Sequence, residues 1–232
     1  MAGVFAAMFA GSASAVVFNG DFEDVSSSNP GLGLVNKRPI DTLASGPGKS
    51  WDVYTSIPGW TTAAGAGIEV QTNRTLNSID AHSGQHYIEL DSHPSPNSNS
   101  TMQQDVFLSA GRYRLDFWYS PRTGDINTNG IAFSVTGAAP TNNALLSGGV
   151  TGPSASNGTS VGAWTMFSAM FAVADVDSPI RLAFSATGSA NTLGGFIDDV
   201  SISAIPIPAA LPLLLTALGG LGFVARRRRQ TS

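Results

Sequence analysis

Between Val16 and Ala204 the apolar residues recur at every second position, and no stretch carries a convincing helical period. In Arg112–Tyr119, Tyr113, Leu115, Phe117 and Tyr119 fall on one face, and Arg112, Arg114, Asp116 and Trp118 on the other. Ile131, Phe133 and Val135 repeat the pattern, as do Phe167, Ala169, Phe171 and Val173, then Ile180, Leu182 and Phe184, then Phe196, Asp198, Val200 and Ile202. Period two places alternate side chains on opposite faces of a strand with one face buried. Turn signals separate the runs at Ser109-Ala110-Gly111, Arg122-Thr123-Gly124-Asp125, Asp177-Ser178-Pro179 and Thr187-Gly188-Ser189. The expected fold is all-β, an antiparallel β-sandwich of jelly-roll type over residues 16–204. Val25–Ser50, Ser92–Ser100 and Gly137–Gly162 are rich in small polar residues and are expected as loops.

The chain has no cysteine, which removes disulfides, zinc–thiolate sites and thiol nucleophiles from consideration. Its sixteen acidic residues all lie between Asp21 and Asp199, against eight basic ones, while four arginines stand together at Arg226, Arg227, Arg228 and Arg229. An acidic body repels a phosphate backbone, so nucleic acid is not an expected partner.

Both ends read as addresses. Residues 1–15 are small and apolar and finish in Ala13-Ser14-Ala15, an A-x-A site of the kind signal peptidase cuts. The basic lead that usually opens such a segment is not in the sequence. Ile205–Ala225 is an uncharged run of 21 residues, long enough to cross a bilayer core as a helix. The four arginines after it are expected to keep that end cytoplasmic, with the acidic body outside.

The C-terminal 28 residues, 205–232, resemble a sorting signal. Ile205-Pro206-Ile207-Pro208-Ala209, an apolar helix and a terminal arginine cluster are similar to the VPLPA-CTERM variant of the PEP-CTERM signals, with Ile in place of the pattern's Val and Leu. The resemblance implies recognition by an exosortase, a membrane transpeptidase, and anchoring in the inner membrane before transfer to the cell surface or beyond.

The body resembles the galactose-binding-like jelly roll of many carbohydrate-binding modules. The landmarks are Asn19-Gly20-Asp21-Phe22-Glu23, Ile57-Pro58-Gly59-Trp60, Ser83–Leu90, Gly111–Phe117 and Phe196–Ile202, in that order. The resemblance implies adjacent first and last strands and a structural calcium ion there, with Glu23 and Asp198 or Asp199 supplying carboxylates and Asn19 or Asp21 helping. Alternation places Asp198 on the face of Val200 and Ile202, where a buried carboxylate needs a cation or several donors.

Sugar rings stack on exposed aromatic faces, and Trp118, on the face opposite Leu115 and Phe117, is the first candidate. Trp51 and Tyr54, beside a loop, are the others; Trp60 reads as core. His82 and His86 lie four apart near Glu89 and Asp91, a spacing with no strong metal signal in a strand. Glu89 and Asp91 share a strand face and could suggest a glycosidase pair, although alternation produces such pairs routinely. No G-x-S-x-G elbow or triad is present. The expected function is that of an exported, non-catalytic surface or matrix protein whose jelly roll binds polysaccharide. The alternatives are a structural matrix protein without a specific glycan and an envelope glycan hydrolase.

Overall fold

A computed structural model describes residues 17–26, 32–43, 50–76, 79–94, 96, 98–137, 143–174 and 179–206. Residues 1–15, Ile207, Pro208, Ala209 and the arginine cluster lie outside these. No helix among the described residues is long and apolar enough to cross a membrane. Ala13–Ala204 forms one compact unit; of the other unit, Met1–Ser12 with Ile205–Ser232, only Ile205 and Pro206 are described.

The alternating runs do become strands. In chain order they are β1 (Trp51–Tyr54), β2 (Ser56–Ile57), β3 (Trp60–Ala64), β4 (Ile68–Thr72), β5 (His86–Glu89), β6 (Thr101–Phe107), β7 (Gly111–Ser120), β8 (Gly130–Gly137), β9 (Ala144–Val150), β10 (Thr165–Val173), β11 (Pro179–Thr187) and β12 (Phe196–Ala204). They form two six-stranded sheets, β1-β4-β5-β12-β7-β10 and β2-β3-β6-β11-β8-β9, antiparallel throughout. The expected sandwich is therefore present. β9 is a strand inside a stretch expected as loop, and its run Ala-Leu-Leu-Ser-Gly-Gly, half-buried at the two leucines and exposed elsewhere, carries no alternation to announce it.

The core lies between the sheets. Tyr113, Leu115, Phe117 and Tyr119 of β7 meet Ile180, Leu182 and Phe184 of β11, as their alternation requires. Trp60 is fully buried, between Phe22 at 5.9 Å and Phe184 at 6.2 Å between ring centres. A second, smaller cluster of Ile79, Tyr87 and Phe196, with Leu76 and Trp164 packed on it, lies on the outer face of the first sheet.

One strand departs from its expected parity. Asp198 pairs with Trp118 and Ser201 with Asp116, so a bulge falls between them, with Asp199 in the left-handed region at φ 47°. The bulge resets the alternation. Ile197, Val200 and Ile202 enter the main core, whereas Phe196 and Asp198 face outward. Asp198 thus does not share a face with Val200 and Ile202.

Candidate functional site

The outer face of the first sheet carries Trp51 paired with Gln71 and Gln71 with Tyr87 toward β1, and Asp198 paired with Trp118 and Trp118 with Met166 toward β10. At its β7–β10 end an open groove of about 600 Å³ is floored by Trp118, Met166, Asp116 and Ser201 and walled by Asp199, Val200 and the N-terminal turn, including Asn19 and Asp21.

The turn is held from inside. Its Gly20 carbonyl accepts the Val200 N–H at 2.8 Å, which lays residues 19–22 against the last strand; the segment is a turn and not the first strand that the resemblance implied. A Cβ at position 20 would stand 1.9 Å from the Val200 oxygen, so the approach requires glycine. The Asn19 amide donates to the Asp24 and Pro58 carbonyls, its side-chain oxygen accepts the Asp24 N–H, and its backbone carbonyl accepts the Trp60 indole N–H. Phe22, buried against Trp60, plugs the turn into the core.

Trp118 is half-buried, and the His82 ring stacks on it at 3.7 Å and 16°. The His82 Nδ1 meets Asp199, and the Ser83 hydroxyl donates to the other Asp199 oxygen at 2.7 Å. Asp198 accepts the His82, Ser83 and Asp199 backbone N–H groups. Burial, followed by the neighbouring Asp199 charge, pushes its carboxyl up to about 8 against those three donors. Glu23 accepts the Gln85 and His86 N–H groups at 2.7 and 2.6 Å and meets the His86 Nδ1 at 3.0 Å. Gly84, at φ 61°, leaves room for it; a Cβ there would lie 2.4 Å from the Glu23 carboxyl carbon. Residues 82–86 are thus clasped between Glu23 on one side and Asp198 and Asp199 on the other, which fixes the histidine over Trp118.

Asn19, Asp21, Glu23, Asp198 and Asp199, read from the resemblance as calcium ligands, are neighbours but do not converge. Among the described residues no three His, Asp or Glu side chains form a group that could hold a metal ion. The oxygens of Glu23 and Asp198 face N–H donors, which a cation would repel, and the Asn19 amide is taken by Asp24 and Pro58. The set does not fit a calcium ion. EDTA should therefore leave the melting midpoint of the protein unchanged. A site held at a hundred times its dissociation constant would add about 2.7 kcal/mol, and its loss would lower the midpoint by about 5–11 °C in a domain of this size.

Of the three aromatic candidates, only Trp118 lies in the groove. Trp51 stands four strands away on the same face, about 19 Å at the usual strand spacing, and leans on His93 at 4.6 Å. Tyr54 is not a surface residue: it is 4% exposed, joins the core, and donates its hydroxyl to the Arg38 carbonyl.

A buried polar network lies toward the β1 end of this face. Glu69 and Glu89 are directly opposed across β4 and β5, and the Gln71 amide donates to both. Arg122 Nη1 donates to both Glu89 oxygens at 2.6 and 2.7 Å, and the Gly194 N–H adds a third donor. His93 contacts Glu69 through its backbone N–H and its Nδ1, both at 2.9 Å. The pair read from the sequence, Glu89 with Asp91, separates: Asp91 accepts from Ser98, Asn191 and Leu193. Alternation in Ile68–Thr72 marks Glu69 and Gln71 as sharing a face, but their burial comes from loops distant in sequence.

No family model matches the sequence, and no curated protein matches it. Solved structures share the fold. A Stig cyclase from Fischerella sp. TAU, solved in complex with (3Z)-3-(1-methyl-2-pyrrolidinylidene)-3H-indole, aligns at TM-score 0.55 and 13% identity, over 84% of this chain and 99% of that one. A CBM61 module in complex with beta-1,4-galactotriose aligns at 0.41 and 22% identity, over 77% of this chain and 97% of that one. The enzymatically active domain of bacteriophage CBA120 tailspike protein 4 aligns at 0.47 and 16% identity over 82% of this chain, which spans about a fifth, 21%, of the tailspike chain. Carbohydrate-binding modules and enzymes thus both occur among the structural neighbours of this all-β sandwich.

Proposed function

We propose that the groove beside Trp118 binds polysaccharide, and that the protein is a non-catalytic surface or matrix component, exported and sorted by its C-terminal tail. The observation that carries the binding reading is a half-buried tryptophan on the floor of an open groove, with Asp116 beside it and Asp21 and Asp199 in the walls. The indole area that His82 leaves uncovered offers an apolar surface to the C–H face of a sugar ring, and carboxylates accept its hydroxyl protons. The open, one-sided shape suits a long chain more than a small enclosed ligand. The export and sorting reading rests on the A-x-A site, the proline motif, the apolar run and Arg226–Arg229, with an exosortase-type transpeptidase and the inner membrane as partners. The non-catalytic reading is supported by Glu69 and Glu89, an opposed carboxylate pair that is buried and engaged by Arg122 and Gln71.

The test is affinity electrophoresis of the full-length protein in detergent through gels containing different polysaccharides. One glycan class should retard the wild type, and Trp118→Ala should weaken that interaction by about tenfold or more, the usual scale for truncating a central aromatic anchor. Equal retardation of the two proteins would move the site elsewhere, and release of sugar from the gel would contradict the non-catalytic reading.

A further inference from the structure

The two sheets have four edges, and three of them are protected. β1 is covered by residues 33–38: the Leu34 N–H donates to the Val53 carbonyl, and the Asn36 amide to the Trp51 carbonyl. β2 is only two residues long. β9 pairs with β8 through a register shift between Val135 and Thr136. Covering, shortness and bulges are the devices by which sheets avoid pairing with other chains. β10 has none of them. It runs nine residues in unbroken register with β7, without a charge, proline or glycine. Among the described residues no backbone group is hydrogen-bonded to it on the side away from β7; β9, of the other sheet, approaches it without pairing.

The sequence of that edge is also self-complementary. Met166 and Met170 are 52% and 64% exposed on the outer face, and exposed Ser168 lies midway between them. In an antiparallel pair of β10 strands related by a two-fold axis at Ser168, Met166 of one copy stands opposite Met170 of the other, twice. Each exposed methionine then gains an apolar neighbour, and no like charges meet across the join despite the acidic body. A foreign strand would satisfy the backbone groups equally, but the placement of the two methionines about Ser168 favours a second copy.

We infer that β10 is a homotypic assembly edge, through which two copies join their first sheets into one continuous sheet. The pairing stands on the strand alone, without a bound glycan. Because Met166 also floors the groove, it would set two grooves side by side on one face, so a polysaccharide held by both copies would gain from effective concentration.

The chain has no cysteine, so an introduced one reports without background. Full-length Ser168→Cys in detergent, oxidised without glycan, should form a disulfide-linked dimer several-fold faster than Ser156→Cys, an exposed loop control. Adding Met170→Lys, a charge of the kind that guards natural edges, should bring the rate down to that of the control. Equal cross-linking at positions 168 and 156, or cross-linking at 168 that Met170→Lys leaves unchanged, would overturn the inference. Trp118→Ala should leave the cross-linking intact, so failure of the glycan reading and failure of this one are told apart.

Discussion

Replacing Arg122 with Met should cost about 3–5 kcal/mol at neutral pH, the usual range for breaking a buried ion pair from one side. Glu89 is fully buried, and Arg122 is the cation that contacts it, with both carboxylate oxygens on one Nη. Glu69 stands directly opposite, so removing the guanidinium leaves two carboxylates sharing the Gln71 amide. The melting midpoint should fall by about 6–20 °C, at 2–4 °C per kcal/mol for a domain of this size. The loss should be smaller at pH 5 than at pH 8, because a proton on Glu89 can stand in for the missing charge.

The wild type itself should show the same sensitivity. Burial and then Glu69 raise the Glu89 carboxyl well above the ordinary range, against the lowering effect of Arg122. A carboxyl raised in the folded state stabilises the fold while it holds its proton. That contribution is present below its unfolded pKa and is lost as pH rises through the folded one. Asp198, at about 8, acts with the same sign. Thermal midpoints should therefore decline as pH climbs from the ordinary carboxylate range past 8. Glu89→Gln, which keeps an oxygen to accept from Arg122, should decline less, and Glu89→Gln with Asp198→Asn less again. A wild type that gains stability across that window would show that both carboxylates are ionised in the fold.

Trp60→Ala should cost a similar 3–5 kcal/mol through the cavity it opens, the usual range for truncating a buried aromatic. This indole is fully buried against Phe22 and Phe184 and donates its N–H to the Asn19 carbonyl at 3.0 Å. It therefore holds the N-terminal turn as well as filling space. Trp60→Phe keeps a ring but leaves the carbonyl without that donor, and should cost about 1–2 kcal/mol, a lost hydrogen bond plus a small void. The turn supplies Asn19, Gly20 and Asp21 to the groove wall, so either variant should weaken glycan binding although neither touches the ligand. Urea titrations would give the stability changes. A Trp60→Phe protein of full stability and lowered affinity would show that the indole N–H acts on the wall alone.

The long strands were legible because their two faces meet such different surroundings. In β7 and β11 every second residue enters the core, so alternation predicted both the strands and the outward position of Trp118. β1 is buried on nearly every residue, and β9 is exposed on most, so neither alternates. The reversed parity of Asp198 turns on one residue, Asp199, whose left-handed conformation an aspartate tolerates without leaving a mark in the pattern. The site was half legible for a similar reason. Facing direction is local, and it singled out Trp118. The His82 ring over it, the opposition of Glu69 to Glu89 and the reach of Arg122 to both oxygens depend on register and on loops brought from far along the chain. The donors that spend the carboxylates of Glu23 and Asp198 come from residues 82–86, which no spacing around Asn19 or Asp198 reveals.

The central claim is that Trp118, and not Trp51, meets the glycan. The chain has four tryptophans, so a spectrum of protein labelled with ¹⁵N at tryptophan carries four indole N–H signals, which single substitutions identify. Titration with oligosaccharides of the retarding glycan class should shift the signal that disappears in Trp118→Ala and leave that of Trp51 in place. A shift confined to Trp51, or four signals unmoved by a glycan that binds, would contradict the account.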